Sequence, residues 1–508
     1  MSAPTRIPGG IHIPVRLSST RMSAVAGPIA IGAALAIVSS IPLPRGPVTT
    51  GQALLCVGAS VLAGLAAGRM SRSSWSILLA PLGYVVAYEA ARLVLGVAGA
   101  TFGPIRLDNA YGIVALVAGR GFHGLLALLP MAAGASLGVV LGRPHRRRAW
   151  IPGGLLSMAT LALTVAVVLP ASVPPVTDEA GQPVPGSIAE LSTVTLGGLE
   201  QTISVRAADP EQPVLLYLSG GPGQSDIAFA RALLEPLTGD FVVVTWDQRG
   251  NGTSYPALEP VATFTLDRAV NDTVELAEQL TERFGEQKVY LLGESWGSTL
   301  GVLAVDRRPD LFHAYIGSGQ MVSQRVTDQR IWRDLLATTE ASGDWELYDQ
   351  VLSLGEPPYR DAPWANSIIL GLYPLLEEPY TPPQAYVTRG VASGVGPFGL
   401  MGAEYDLIDN VNLLRGLLDT FSLLYPQLQA IDFRTDVPRL EVPVYLLDGT
   451  HELRGRRDLA QEWFASLSAP HKELITYENA GHAVAFEQAE AFHRLLVEEI
   501  VPATYEVR

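Results

Sequence analysis

Gly293-Glu294-Ser295-Trp296-Gly297 directly follows Lys288-Val289-Tyr290-Leu291-Leu292, a short and mostly apolar run. The run reads as a buried strand and the residues after it as a helix. The glycine-x-serine-x-glycine between them predicts a sharp strand-to-helix turn. Such a turn crowds the backbone, which is why glycine stands two residues before and two after the serine. It lifts the hydroxyl above the sheet edge and aims the amides of the following helix at any negative charge developing there. Glycine and serine are common loop residues, so this short pattern takes its meaning from its surroundings.

Working outward, short apolar strands alternate with helical segments. Residues 192–196 and 201–205 predict a hairpin around Gly197-Gly198. Strands follow at 214–218, 241–245 and 314–316, with helices at 228–236, 266–284 and 298–306. The alternation stops between about 321 and 435, where Trp332, Trp345 and Trp364 lie in helical patterns broken by proline. It resumes with strands at 442–447 and 474–477 and helices at about 456–467 and 485–499. This pattern predicts a mostly parallel sheet with helices on both faces and an inserted helical cap.

Chain order then tests the serine. An acid is expected after a late strand and a histidine after the last. Asp448-Gly449-Thr450-His451-Glu452 supplies the acids and Glu478-Asn479-Ala480-Gly481-His482 the histidine. A serine hydroxyl attacks only when an imidazole takes its proton, and that imidazole needs a carboxylate to hold its tautomer. Ser295, His482 and Glu452 are the candidate catalytic set, with Asp448 as the alternative acid.

Three motifs carry a resemblance over roughly 190–505: Gly220-Gly221-Pro222-Gly223, Asp247-Gln248-Arg249-Gly250-Asn251-Gly252-Thr253-Ser254, and the Ser295 turn with Gly297-Ser298. Together they resemble the prolyl iminopeptidase family of α/β-hydrolases. The resemblance implies an α/β-hydrolase fold with an inserted cap. It also implies an oxyanion hole built by the backbone N–H groups of Gly221 and Trp296, within a loop that includes Gly220, Pro222 and Gly223. Asp247 and Arg249 would brace the surrounding loops. This chain departs from the family in having Glu452 where aspartate is usual and Glu294 where the nearest members have glycine. It also has no clear match to the cap's tryptophan-glutamate motif, for which Glu340, Glu346 and Glu404 are candidate substitutes.

The chain's first third has a different character. Residues 1–172 hold thirteen arginines, no lysine and two acids, a formal +11, which leaves −26 for 173–508 out of the total of −15. Apolar runs at roughly 24–44, 50–68, 75–99, 121–142 and 150–170 are long enough to cross a bilayer. Arg6, Arg16, Arg21, Arg69, Arg72, Arg143, Arg146, Arg147 and Arg148 fall in alternate connections. The positive-inside rule therefore predicts a cytoplasmic amino terminus and an extracytoplasmic hydrolase domain in a multi-pass cell-membrane protein. The stretch 108–123 reads as an interfacial or re-entrant piece on the outer side. Glu89 and Arg92, three apart, pair along one helix face.

The expected organisation is an all-α transmembrane bundle over 1–172 and a Pro-rich linker over 173–189 that tethers loosely. The hydrolase core follows over 190–320 and 436–508, with the helical cap over 321–435. The acidity excludes nucleic acid as a partner. The single cysteine, Cys56, excludes an intrachain disulfide. The motifs call for no cofactor and no metal. They predict a membrane-anchored serine hydrolase in the lipid bilayer, acting on short peptides as an aminopeptidase. The alternatives are an esterase or amidase for a small ester, amide or lipid metabolite, and a non-catalytic binding module.

Overall fold

A computed structural model describes residues 19–142, 150–178, 180–392 and 400–505. Arg6, Arg16, Arg143, Arg146, Arg147 and Arg148, on which the orientation expectation rests, lie outside them. Contacts divide the described chain into two compact units.

The smaller unit holds most of α1 (Ser19–Ser40), α2 (Thr50–Ser71), α3 (Ser76–Leu95), α5 (Phe122–Gly142) and α6 (Trp150–Val168). It lies within Gly51–Gly96, Gly124–Val165 and the residues up to Pro44. Small residues let these helices approach backbone to backbone. A Cβ on Gly32 would stand 2.0 Å from the Ala80 carbonyl oxygen, and one on Gly64 or Gly68 1.9 or 2.0 Å from those of Met131 and Ala135. Large apolar side chains such as Leu55, Leu62, Leu93 and Leu161 face outward. Among the described residues, four apolar helices are long enough to cross a membrane: Thr50–Ser71, Ser76–Leu95, Ala110–Gly142 and Ile151–Val168. The first of the five expected spans is shorter by this measure, with apolar helix over Ala24–Ser40. Glu89 and Arg92 are ion-paired one turn apart.

The larger unit is built on an eight-stranded sheet: β1 (Ile188–Leu196), β2 (Leu199–Ala207), β3 (Val214–Leu218), β4 (Val242–Asp247), β5 (Val289–Glu294), β6 (Phe312–Ser318), β7 (Val444–Gly449) and β8 (Lys472–Tyr477). The order is β1-β2-β4-β3-β5-β6-β7-β8. The first two strands form a hairpin added antiparallel to β4, and the rest run parallel. The inner strands β3, β4 and β5 are buried along their whole length. Their near-continuous apolar runs are what a sheet covered on both faces requires. Two apolar clusters lie on its faces, one around Leu216, Val244 and Leu291, the other around Leu215, Tyr217 and Leu292.

The helices that follow are α7 (Ile227–Leu234), α8 (Leu266–Phe284) and α9 (Trp296–Arg307). Between β6 and β7 come α10 (Gln324–Ser342), α11 (Trp345–Ser353), α12 (Ala362–Leu372), α13 (Gln384–Ala392), α14 (Leu407–Leu428) and α15 (Phe433–Asp436). α16 (Arg454–Ser466) joins the last two strands. This is the α/β-hydrolase fold with a helical insertion.

This unit runs from Ala166 onward and also takes in two earlier segments, Arg45–Thr50 and Val97–His123. The second carries α4 (Ala110–Ala115), which runs through a π turn over Leu116–Gly121 into α5. The stretch 108–123, expected to be interfacial or re-entrant, thus belongs to the same unit as the sheet. The residues expected to tether loosely are anchored too. Within them, Arg206 donates to the Pro174 carbonyl at 2.7 Å, and just before them Ser172 N–H donates to the Ala403 carbonyl at 2.7 Å.

Candidate active site

The turn after β5 has the backbone its sequence demands. Ser295 sits at φ +54°, a region costly for a residue with a side chain. A Cβ on Gly293 would come within 2.5 Å of the Gly297 carbonyl oxygen, and one on Gly297 within 2.0 Å of that of Leu218. Neither position tolerates a side chain, so the glycines permit the turn and the turn holds the serine at the start of α9. Ser298, a turn further on, donates through its hydroxyl to the Ser295 carbonyl and accepts the Met321 amide at 2.9 Å.

His482 follows β8 and Glu452 follows β7. The Glu452 carboxylate contacts His482 Nδ1 in a short hydrogen bond. Its other oxygen accepts the Leu453 amide at 2.7 Å and Arg456 Nη1 at 3.0 Å. Burial would push this carboxyl up; the charges of His482 and Arg456 and these hydrogen bonds outweigh it and bring it down to about 2. Asp448 points elsewhere, accepting Arg457 Nε and Gln461 Nε2, each at 3.0 Å. Between the two candidate acids, it is Glu452 that meets the imidazole.

Ser295 and His482 line one cavity of about 360 Å³. With Nδ1 turned to Glu452, the ring's other nitrogen is the one left for proton exchange there. Ser295 Oγ has no hydrogen bond among the described residues, as is common before a substrate tightens a site.

Gly221 and Pro222 also line the cavity, and Gly221 has φ +114°. Gly220 lies against the serine: a Cβ there would stand 3.3 Å from Ser295 Cβ. Gly223, at φ +105°, packs against the Gly416 carbonyl on α14. Trp296 opens α9, so its amide is among those a helix leaves without an internal partner. Its indole donates to Gln248 at 2.8 Å, and Gln248 donates to the Ser219 carbonyl at 3.2 Å. Asp247 is fully buried and accepts both the amide and the hydroxyl of Thr253, at 2.9 and 2.8 Å. Burial dominates over these bonds and raises its carboxyl to about 6. Arg249 pairs with buried Asp272 at 2.9 Å. Both stand in loop scaffolding away from the cavity lining.

Several lining residues escape sequence reading: Asp328, Glu377, Arg456 and Tyr111. Asp328 is buried, accepting Tyr425 OH at 2.7 Å and Gln324 Nε2 at 2.9 Å. Burial, only partly offset by these bonds and by Arg456, raises it to about 7. Arg456 stands four residues after Glu452, at the start of the helix expected over about 456–467. Glu340 and Glu346 are exposed on the surface, and Glu404 is buried against Arg231. None of these three lines the cavity.

Residues 213–358 match the family model for the alpha/beta hydrolase fold. The probable aminopeptidase YbaC of Bacillus subtilis is 29% identical over 317 residues, covering 61% of this chain and 96% of that protein. The proline iminopeptidase of Neisseria gonorrhoeae is 31% identical over 104 residues, 20% of this chain and 31% of that one. Among solved structures, a proline iminopeptidase-related protein from Thermus thermophilus covers 62% of this chain and 98% of its own, at 22% identity and a TM-score of 0.41. Residues 213–358 thus carry the alpha/beta hydrolase fold, and the chain is similar in sequence to proteins named as an aminopeptidase and a proline iminopeptidase.

Proposed function

We propose that the chain is a membrane-anchored serine hydrolase that removes amino-terminal residues from short peptides. The observation that carries this reading is the Glu452 carboxylate seated on His482 Nδ1, with the imidazole sharing a cavity with the strained Ser295. Ser295 Oγ attacks the scissile carbonyl as His482 Nε2 takes its proton. The Gly221 and Trp296 amides receive the oxyanion. The proton passes to the leaving amine, and water, activated by the same imidazole, releases the acyl group. Glu452 holds the tautomer and balances the imidazolium charge.

The peptidase reading draws on relatives named as aminopeptidases and on acids at the cavity. Glu377 and, above about pH 7, Asp328 offer negative charge to a cationic amino terminus. The helices between β6 and β7 act as the cap, limiting access to short substrates. The apolar helices anchor the enzyme in a lipid bilayer, with the arginine-bearing connections cytoplasmic and the hydrolase domain outside.

The test compares turnover of aminoacyl arylamides and acyl esters by the full chain and its Ser295→Ala variant. Arylamide hydrolysis lost by about 10³-fold or more in the variant, with unchanged thermal stability, is expected. Hydrolysis of esters only would replace the peptidase reading by an esterase. No turnover and no labelling by a serine-directed fluorophosphonate in folded protein would leave a binding module.

A further inference from the structure

Tyr111 lines the same cavity as Ser295 and His482, yet it lies far outside residues 213–358 that match the hydrolase family model, between the apolar helices α3 and α5. We propose that Tyr111 is a specificity-determining wall of the cavity, so that a loop between membrane helices sets which substrates this hydrolase accepts. This rests on the serine-hydrolase reading above.

The segment is held rigidly. Asn109 caps α4 by accepting the Gly112 amide at 2.7 Å. Gly112 lies so close to the Arg106 carbonyl oxygen that a Cβ would approach to 2.3 Å, and Gly119 lies likewise against Thr101, at 2.6 Å. Arg120 donates to the Thr101, Phe102 and Gly103 carbonyls, tying the two ends of the loop together. On its inner side, Ala100 and Ala115 pack with Trp364 of α12 and Leu418 of α14, with Tyr111 and Val114 flanking them. Leu418 lines the cavity beside Tyr111, as do Leu417 and Phe421.

Buried polar bonds lock this packing. Asp419 is fully buried and accepts the amide and hydroxyl of Thr101 at 2.8 and 2.7 Å, Tyr255 OH at 2.7 Å and Arg45 Nη1 at 3.3 Å. Arg415, also buried, donates to the Ala118 carbonyl at 2.9 Å and to that of Pro47 at 2.8 Å. A flexible lid would not bury a carboxylate and a guanidinium against backbone, because each opening would strand both charges. Tyr111 is therefore a fixed wall. Its ring closes a space that a smaller residue would leave open.

The Ala110–Gly142 helical stretch is 33 residues, about 50 Å at 1.5 Å per residue. A bilayer core needs only about 20 residues, which leaves the first dozen free to belong to the hydrolase. The wall is thus continuous in the chain with an apolar helix, an arrangement that a hydrolase without such helices cannot have.

The test uses the full chain in detergent and measures the ratio of Ser295 labelling rates by a bulky and a compact fluorophosphonate. A ratio is internal to each sample, so partial loss of folded protein cancels. Tyr111→Ala is expected to raise the bulky-to-compact ratio on the order of tenfold, and Tyr111→Trp to lower it. Equal ratios in wild type and both variants overturn the assignment while leaving the hydrolase reading intact. Failure of wild-type protein to label with either reagent overturns the hydrolase reading and this assignment with it.

Discussion

Glu452 and Asp419 are both buried carboxylates with several donors, and they serve different ends. Glu452 receives the Leu453 amide and Arg456 from its own loop and helix, and His482 from the next βα connection. Asp419 receives Arg45, Thr101 and Tyr255, which come from far earlier in the chain. The first carboxylate faces an imidazole that opens onto a cavity; the second is closed on every side. Local wiring orients a reactive group, whereas long-range wiring fixes the position of a whole helix, here α14. A buried charge is thus no sign of chemistry until its partners lead to a cavity.

Glu452→Gln breaks the comparison at the reactive end. An amide holds the imidazole in the wrong tautomer, so turnover should fall by about 10⁴-fold with substrate affinity little changed. Asp448→Asn is the control: it removes the bonds to Arg457 and Gln461 and should cost about 1 kcal/mol of stability rather than turnover. Equal turnover losses in the two variants would undo the assignment of Glu452 as the orienting acid.

Asp419→Ala attacks the other end. Removing the carboxylate leaves buried Arg45 with Glu259 alone, at 2.7 Å, and deprives the Thr101 and Tyr255 donors of their acceptor, at a cost of about 1–3 kcal/mol. Thermal unfolding of the full chain in detergent should register that loss. An unchanged unfolding temperature would mean that the cap does not depend on the 45–50 and 97–123 segments.

The smallest effect concerns pH. Burial raises Asp328 from 3.8 to about 7 in the folded state, so it is neutral below that value and charged above it. A raised acid binds its proton more tightly when folded; its contribution to stability is therefore lost as pH rises towards 7. For a cationic substrate, KM should fall a few-fold as pH rises through 7, and Asp328→Asn should flatten that trend. An identical pH profile in the variant would remove Asp328 from substrate recognition.

Much of this protein was legible residue by residue. Gly293, Ser295 and Gly297 encode a strained turn within five residues, because its sterics involve only its neighbours and the strand beneath. The alternation of apolar runs with helical periods marked the parallel strands, since burial on both faces leaves a local imprint. The apolar helices of the first third were visible for the same reason: among the described residues, four of them are apolar over a continuous stretch long enough to cross a membrane. Other features left no local trace. Asp448 lies at the end of β7 and Glu452 three residues beyond the strand, and only the folded path of the chain brings one of them to His482. Tyr111, Thr101 and Arg45 read as connections between apolar runs; their places beside the cavity and against Asp419 come from a packing that joins residues hundreds of positions apart. Sequence encodes what neighbouring residues impose on one another, and the tertiary structure decides which distant groups share a burial site, because that choice depends on the sum of all contacts.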